Sequence, residues 1–444
     1  MSRKQAIIKG TFILTLTGFV TRFMGFFYRI FLSHTFGEEG VGLYQLVFPI
    51  FALCFSLTSA GIETALSRCV ARKLTCGQKK EARELLYTSL IITVAASCIV
   101  TLLLQKYAFF VSETILRDTR SYELLIILSY AFPFAAVHSC IVGYYLGQKA
   151  TKIPAISQLI EQTARILCVY LIYQVGLKSG INLDVSIAVV GLIAGEVASS
   201  LYCLHAIKKG ALVPGLPHLK LSSFFRHGKE ILTLSFPLTA NRVLLNILQS
   251  VESISIPIRL QMNGMIPKEA LSTYGVLTGM ALPCVLFPSA ITNSVSTMLL
   301  PTVAEIQALD NKKEMSALIQ KAVYCCVFLG SACCIVLLAF GKWIGEFLFD
   351  SALAGDFIRT LAWICPFLYA NSTLISIING IGKTSLSFAI NSVSLGIRIV
   401  SVLFFIPEFG IFGYLWGLLA SQVFVFLFCC GYLYWYVHGG KPNH

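Results

Sequence analysis

Residues 10–29 read Gly10-Thr-Phe-Ile-Leu-Thr-Leu-Thr-Gly-Phe-Val-Thr-Arg-Phe-Met-Gly-Phe-Phe-Tyr-Arg29. With the apolar residues on either side, this stretch is long enough to cross a bilayer. Arg22 and Arg29 lie two helical turns apart and share one face of the predicted helix. A cation in the hydrocarbon costs at least ~2.5 kcal/mol, so the two arginines should face a polar cavity or a partner. We hypothesise that the rest of the chain builds this cavity.

The composition of the whole chain indicates a membrane protein. Of 444 residues, 56% are hydrophobic and 12% are charged, and the mean hydropathy is +0.78. Apolar runs of roughly 20 residues recur along the entire length, which predicts an all-α polytopic membrane protein. The N-terminal segment has no small-residue cleavage site, so we expect it to be retained.

About twelve transmembrane helices are predicted. Their approximate ranges are 8–33, 41–67, 84–105, 123–147, 152–174, 184–206, 229–258, 272–302, 317–340, 355–379, 384–406 and 409–436. The longest cytoplasmic loop, 207–228, is the only one with the composition of a soluble segment. The predicted division is therefore an N-terminal six-helix lobe (1–206), a cytoplasmic linker (207–228) and a C-terminal six-helix lobe (229–444).

The two halves of the sequence resemble each other. A shift of about 233 residues places Pro133 on Pro366 and Arg165 on Arg398. After a change of offset, Gly191-Leu-Ile-Ala-Gly-Glu-Val matches Gly417-Leu-Leu-Ala-Ser-Gln-Val. An even number of spans in each half predicts a parallel repeat around a central cavity, which is a transporter architecture. A membrane scaffold and a membrane enzyme are the alternatives.

The basic residues indicate the topology. The formal net charge is +13. With the N-terminus in the cytoplasm, the twelve-span arrangement puts 21 basic residues on the cytoplasmic side and 8 outside. This positive-inside bias predicts cytoplasmic N- and C-termini and contact with anionic membrane lipids. Because these charges lie in loops beside apolar spans, nucleic acid is not an expected partner.

Cysteine and histidine give no sign of a cofactor site. The 15 cysteines are scattered, several of them as pairs within apolar runs, and are interpreted as small apolar residues. The seven histidines do not cluster along the sequence, and no metal or nucleophile motif is present. We therefore expect neither a cofactor nor an enzymatic activity.

Several polar residues lie within the predicted spans. In the fifth span, Glu161 and Arg165 are spaced to pair on one helix, so Arg165 is either an ion-pair partner or a substrate contact. Arg398 has no carboxylate at the same spacing and should be less neutralised. Intramembrane carboxylates are partners for arginine or ligands of a coupling ion, Na⁺ or H⁺. The candidate substrate-binding residues of the central cavity are Arg22, Arg29, Glu63, Gln158, Glu161, Arg165, Asn241, Arg242, Glu252 and Arg398.

The arginines of the first span favour an anionic substrate. No carboxylate stands within a turn of Arg22 or Arg29. A guanidinium binds phosphate with bidentate geometry, so a pyrophosphate headgroup would fit. An organic cation would be repelled.

Four stretches carry a resemblance to a known superfamily. They are residues 18–29, Gly61-Ile-Glu-Thr-Ala-Leu-Ser-Arg68, Ser157-Gln-Leu-Ile-Glu-Gln-Thr-Ala-Arg165 and Leu277-Thr-Gly-Met-Ala-Leu-Pro283. The chain resembles the multidrug/oligosaccharidyl-lipid/polysaccharide (MOP) flippase superfamily along essentially its whole length. Within that superfamily it is most similar to the stage V sporulation protein B group of oligosaccharide-lipid flippases, which are related to the lipid II flippases.

The resemblance implies two six-helix lobes and alternating access in the bacterial cytoplasmic membrane. It also implies movement of an undecaprenyl-pyrophosphate-linked oligosaccharide or peptidoglycan precursor from the inner to the outer leaflet. The diphosphate-binding role of first-span arginines in the lipid II branch is carried over to Arg22 and to Arg29. A role in sporulation follows by analogy alone, and the oligomeric state stays open.

The chain differs from lipid II flippases in one expected feature, and one alternative function stays open. Lipid II flippases have two further C-terminal helices, and because the sequence ends at Tyr436-Val-His-Gly-Gly-Lys-Pro-Asn-His we expect them to be absent. The alternative function is cation-coupled multidrug export, as in the drug-exporting branch of the superfamily. Glu63, Glu161 and Glu196 keep this alternative open, while the first-span arginines argue against it.

Overall fold

The computed structural model describes residues 3–181, 183–209, 221–308 and 312–438. These residues are almost entirely helical, and none of them lies in a strand, which confirms the predicted all-α fold. The chain folds into two compact units. Unit 1 comprises Met1–Tyr28 and Leu43–Ser250, and unit 2 comprises Arg29–Gly42 and Val251–His444.

Unit 1 contains the first eight helices, of which the first and the last also contribute residues to unit 2. In chain order its elements are α1 (Arg3–Phe55), the π-helical segment Ser56–Ala60, α2 (Gly61–Thr75), α3 (Lys79–Phe110), the π-helical segment Val111–Leu116, α4 (Ser121–Ser129), α5 (Ala131–Gly147), α6 (Lys152–Ser179), α7 (Ser186–Lys209) and α8 (Leu221–Met262). Leu66, Leu85 and Ile141 are fully buried in a hydrophobic core between α2, α3 and α5.

Unit 2 contains the remaining helices. In chain order they are α9 (Pro267–Gly275), the π-helical segment Val276–Ala281, α10 (Leu282–Leu286), α11 (Ser289–Ala308), α12 (Lys312–Phe349), α13 (Ala352–Ala362), α14 (Cys365–Gly380), α15 (Thr384–Val400), the π-helical segment Ser401–Phe405, α16 (Ile406–Phe409) and α17 (Ile411–His438). Leu374, Ile378 and Cys429 lie in its core, which α11, α12, α14 and α17 form.

The helix boundaries repeat with the offset found in the sequence. α3 begins at Lys79 and α12 at Lys312, and α5 ends at Gly147 where α14 ends at Gly380. The break between α4 and α5 bends the chain by 43°, and the break between α13 and α14 bends it by 58°. Pro133 and Pro366 lie just after these breaks. Because proline has no N–H, the hydrogen-bond ladder of the helix is interrupted there. The internal repeat is therefore visible in the backbone as well as in the sequence.

The number of membrane-spanning helices agrees with the prediction. Among the described residues nine helices are long and apolar enough to cross a membrane, or eleven if each bent pair is one span. The first of them, Phe12–Thr75, has 64 residues, which corresponds to about 96 Å of helix, three times the ~30 Å hydrocarbon layer. Gly37 interrupts it with φ 67° and ψ −178°, a conformation that essentially only glycine adopts. Divided at Gly37, this run supplies the first and second predicted spans, which gives twelve.

The units do not coincide with the predicted lobes. Residues 210–220 of the predicted linker lie outside the described residues, and its last residues, 221–228, form the start of α8. The first part of α8 belongs to unit 1 because it packs on its helices: Asn246 Nδ2 donates to Ala52 O at 3.2 Å. Conversely, Ser33 Oγ donates to Phe349 O at 3.3 Å, within unit 2. Packing therefore places Arg29–Gly42 in unit 2 and the part of α8 up to Ser250 in unit 1. The sequence repeat instead places Arg29–Gly42 in the first half of the chain and α8 in the second.

Candidate functional site

Three helices of unit 1 bring ionisable side chains together in its interior. His138 of α5, Glu161 of α6 and Glu196 of α7 form this group, which we call the unit-1 cluster. His138 Nδ1 lies 3.4 Å from Glu196 Oε2 and 4.0 Å from Glu161 Oε2. The three ligand-type atoms all lie within 4.8 Å of one another. They are close enough to share one proton or one small cation.

Arg165 completes the charge pattern of the unit-1 cluster. Its Nη2 donates to Glu161 Oε1 at 2.6 Å, so the ion pair suggested by the i, i+4 spacing is formed. Arg165 Nε is buried and has no hydrogen-bond partner among the described residues. Glu161 thus uses one oxygen for Arg165 and turns the other toward His138.

Close packing of α6 against α7 places Glu161 and Glu196 beside each other. A Cβ atom on Gly195 would lie 2.7 Å from Glu161 O, and one on Gly191 would lie 3.0 Å from Arg165 O. Cβ atoms in real structures do not approach a carbonyl oxygen to 2.7 Å, so a side chain at position 195 would clash with Glu161 O. Glycine at these two positions therefore allows α7 to approach the backbone that carries the ion pair.

Unit 2 contains a smaller cluster around Glu252 of α8. Arg398 Nη2 lies 3.3 Å from Glu252 Oε2, and Tyr414 of α17 donates its hydroxyl to Glu252 Oε1 at 2.8 Å. The Glu252 side chain is only 5% exposed. Arg398 has no carboxylate on its own helix, as the sequence indicated, and takes its partner Glu252 from another helix.

The two arginines of the first helix have different environments. Arg22 belongs to unit 1, where it is exposed and forms no hydrogen bond or ion pair with the described residues. Arg29 belongs to unit 2, where its Nη1 donates to Thr278 O at 3.1 Å. Thr278 lies in the π-helical segment Val276–Ala281. Although the two arginines share a helix face, Arg29 is engaged with the unit-2 backbone and Arg22 is not.

A second polar surface of unit 1 lies where α8 packs on α2. Arg242 is exposed and donates from Nη2 to Thr64 Oγ1 at 3.1 Å. Glu63, which precedes Thr64 in α2, interacts electrostatically with both Arg242 and His138. Asn241 is exposed beside Arg242. This surface therefore connects the exposed arginine of α8 with the buried unit-1 cluster.

The structure groups the predicted site residues only in part. Glu161 and Arg165 meet in unit 1, and Glu252 and Arg398 meet in unit 2. Gln158 is exposed and forms no hydrogen bond with either pair in the described part of the chain. The sequence did not indicate four residues of these clusters: His138, Thr64, Tyr414 and Ser157, whose Oγ lies 3.1 Å from His138 Nε2. His138 lies far from other histidines in the sequence, so spacing along the chain does not reveal the cluster, although a histidine within an apolar span is itself a signal.

Comparison with known families gives two matches. Residues 7–307 match the family described as "Polysaccharide biosynthesis protein", which is more than half of the chain. Residues 242–404 match the MatE family. Together the two matches cover most of both units.

Individual relatives and solved structures agree with these matches. Stage V sporulation protein B of Bacillus subtilis (strain 168) is 30% identical over 432 residues, which cover 96% of this chain and 83% of that protein. The structure titled "Lipid II flippase MurJ, inward closed conformation" has a TM-score of 0.73 at 16% identity and covers 95% of this chain and 87% of its own. An inward-facing multidrug resistance MATE family transporter of the MOP superfamily has a TM-score of 0.71 at 15% identity, with 95% and 96% covered. At these identities the solved structures establish the fold alone.

Proposed function

Since the chain belongs to the polysaccharide biosynthesis protein family, within the MOP superfamily of membrane transporters, we propose that it flips a lipid-linked anionic glycan across the cytoplasmic membrane. The substrate would be an undecaprenyl-pyrophosphate-linked oligosaccharide or a peptidoglycan precursor. It would move from the inner to the outer leaflet by alternating access, with both termini of the protein in the cytoplasm. A further relative, lipid II flippase MurJ of Bacillus subtilis (strain 168), is 25% identical over 227 residues, which cover 48% of this chain and 41% of that protein, and its name supports this substrate class.

The observation that carries the proposal is the exposed positive charge of unit 1. Arg22, Arg68 and Arg242 each expose a guanidinium. Arg22 has all its donors available, since it has no partner among the described residues. An arginine that is held neither by a carboxylate nor by the backbone is suited to bidentate binding of a phosphate. An organic cation would be repelled by the same residues.

The predicted site residues take different roles in this proposal. Arg22 and Arg242 would contact the pyrophosphate, with Asn241 and Gln158 as exposed hydrogen-bonding groups. Arg29 would stay bound to Thr278 O within unit 2 and would contact no substrate. Arg165 and Arg398 would be held by Glu161 and Glu252 and would act on the substrate only through their remaining donors.

Cation-coupled multidrug export is the second candidate function. Its support is the match of residues 242–404 to the MatE family and two carboxylates of unit 1, the buried Glu196 and the half-buried Glu161. In this case the carboxylates would bind the coupling ion, Na⁺ or H⁺, and the substrate would be a cation. Arg22 would then have no role in transport.

The two functions can be separated in proteoliposomes. The first assay follows a fluorescent undecaprenyl-pyrophosphate sugar as it becomes accessible to an external quencher, with wild type, Arg22→Ala and Arg226→Ala. Arg226 is an exposed arginine at the start of α8 and serves as the matched control. We expect translocation by wild type and Arg226→Ala, with a loss in Arg22→Ala of roughly the tenfold or more that one charge-assisted hydrogen bond provides.

Two results would contradict parts of this proposal. Equal translocation of the glycan lipid by Arg22→Ala and wild type would refute the contact of Arg22 with the pyrophosphate. The other is no translocation of the glycan lipid together with proton- or sodium-driven efflux of a cationic dye from the same vesicles, which would favour the drug exporter. A lower thermal stability of Arg22→Ala than of Arg226→Ala would assign Arg22 a structural role.

A further inference from the structure

A groove with a volume of about 480 Å³ runs between α12 and α17 of unit 2. On α12 it is lined from Ser316 to Val327 and on α17 from Phe426 to Val437, mostly by residues three or four positions apart, which form one stripe on each helix. Tyr324, on its rim, is 72% exposed, so the groove opens to the surface of unit 2. Its volume lies within the ~300–1,000 Å³ of ligand sites.

The groove has the length of one membrane leaflet. The stripe from Ser316 to Val327 corresponds to about 16 Å of helix, close to half of the ~30 Å hydrocarbon layer. It lies in those halves of the predicted spans 317–340 and 409–436 that are nearer to the start of α12 and the end of α17. These two helix ends are cytoplasmic in the proposed topology, so the groove would lie in the inner leaflet.

The lining changes from polar to apolar along the groove. Ser316 and Gln320 lie at the end near the membrane surface, whereas Val327, Phe426 and Cys430 line the deeper part. Ser316 and Gln320 form no hydrogen bond with other residues in the part of the chain that the structure describes, so their hydroxyl and amide donors are available. The groove therefore suits a molecule with a polar group at one end and an apolar chain at the other.

Positive charge lies beside the polar end of the groove. Lys312 and Lys313 are exposed and precede Ser316 by about one turn of α12, so they lie on the face that carries Ser316 and Gln320. Glu314 is exposed as well, but it lies about 100° round the helix from Lys313, on a different face. The charge at the mouth of the groove is thus complementary to an anionic headgroup.

The internal repeat shows that the corresponding position in unit 1 is filled by the protein itself. The offset between α3 and α12 places Ser316 on Arg83 and Gln320 on Tyr87. Arg83 is only 8% exposed, and its guanidinium carbon lies 5.8 Å from the centre of the Tyr87 ring. In unit 2 a serine and a glutamine replace this cation and this ring. The open polar end is therefore a property of the unit-2 sequence rather than of the helix arrangement that both units share.

The length of the groove and its donors distinguish between the anionic lipids of the membrane. A phospholipid acyl chain stays within one leaflet, as the groove does, whereas an undecaprenyl chain is longer and would extend beyond the deep end. No arginine belongs to the described lining of the groove. A lysine, a hydroxyl and an amide suit a single phosphate and lack the bidentate geometry with which arginine binds larger phosphate groups. These features favour a phospholipid over the proposed transport substrate.

We infer that the groove between α12 and α17 binds one anionic phospholipid. One acyl chain lies between the two helices, and the phosphate is bound by Ser316, Gln320 and Lys313. Because the chain fills the space between α12 and α17, the lipid is a bound component of unit 2 and not a transported molecule. This inference does not depend on the proposed substrate.

The test is photo-cross-linking of the full chain in phosphatidylcholine liposomes that contain a small fraction of phosphatidylglycerol with a photoreactive acyl chain. Mass spectrometry of the peptides identifies the cross-linked residues. We expect cross-links concentrated in the deep part of the groove. Lys313→Gln should lower their yield about fivefold, which corresponds to the loss of one lysine near an anionic lipid. Lys321→Gln, which removes an equal charge outside the lining, should leave the yield unchanged.

A second pair of variants tests the groove itself. Cys430→Phe places an aromatic ring in the groove, whereas Cys325→Phe adds the same ring at an exposed position of α12 outside the lining. We expect the groove cross-links to be lost in Cys430→Phe and retained in Cys325→Phe. Lys313 is exposed, so Lys313→Gln keeps the test decisive even where Cys430→Phe lowers the thermal stability.

Three outcomes would overturn the inference. The first is an even distribution of cross-links over the exposed apolar residues, which would indicate surrounding lipid only. The second is equal competition by unlabelled phosphatidylcholine and phosphatidylglycerol, which would exclude recognition of the charge. The third is competition by an undecaprenyl-pyrophosphate sugar at lower concentrations than by phosphatidylglycerol, which would assign the groove to the transport substrate. Cross-linking does not measure translocation, so a failure here is distinct from a failure of the flippase assay.

Discussion

Replacement of Glu252 by leucine tests the ion pair of unit 2. In the wild type, Arg398 Nη2 lies 3.3 Å from Glu252 Oε2, and the Glu252 side chain is 5% exposed. At an effective dielectric constant of about 20, two unit charges at this separation attract each other by about 5 kcal/mol. Desolvation of both groups offsets much of this attraction in the intact pair. In Glu252→Leu the attraction is lost while Arg398 stays largely buried, so we expect a loss of about 3–5 kcal/mol of unfolding free energy.

The double variant Glu252→Leu/Arg398→Leu separates the pair from its components. Because both charges are then absent, neither is left unpaired, and its stability should be within about 2 kcal/mol of the wild type and above that of either single variant. The measurement is equilibrium unfolding in mixed micelles, with all four proteins at the same protein and lipid concentrations. Additive losses in the double variant would refute the reasoning, because they would show that the two side chains contribute independently.

Three other predictions concern packing, a buried histidine and a backbone conformation, each measured by the same unfolding assay. Gly195→Val should destabilise by about 1–3 kcal/mol through overpacking, since a Cβ there lies 2.7 Å from a backbone oxygen, whereas Gly396→Ala, with nothing within 4 Å, should cost nothing; equal losses would contradict the role of close packing between α6 and α7. His227→Leu removes a fully buried ring whose Nε2 lies 3.2 Å from Glu84 Oε2, and we expect a loss of about 1–3 kcal/mol, which a Glu84→Leu background should reduce. Gly37→Ala should cost about 1–3 kcal/mol because alanine is strained at φ 67°, and an unchanged stability would mean that the helix break relaxes freely.

Local patterns were predictable from the sequence because they depend on few residues. The Glu161–Arg165 pair follows from i, i+4 spacing on one helix, and the structure has it at 2.6 Å. The breaks before Pro133 and Pro366 agree with the missing N–H of proline, whereas Pro237 lies within the continuous helix α8 and shows that a proline alone does not predict a break. The number of spans was predictable from the apolar runs, because bilayer thickness fixes the length of each membrane-spanning helix.

Contacts between distant helices were not predictable in this way. Glu252 and Arg398 lie on α8 and α15, and nothing in their spacing indicates that they meet. Arg22 and Arg29 share a helix face, yet packing gives Arg29 a backbone carbonyl in unit 2 and leaves Arg22 exposed in unit 1. A helix face is defined by local geometry, whereas its partner depends on the tertiary packing of residues hundreds of positions away.

The repeat shows how the two units have come to differ in charge. At the repeat-related positions 165 and 398 both units have an arginine held by a carboxylate. The surrounding pair is ionisable in unit 1, as His138 and Glu196, and neutral in unit 2, as Asn371 and Gln422. The repeat therefore preserves the position of this contact in both units but not its charge, because both partners are ionisable only in unit 1.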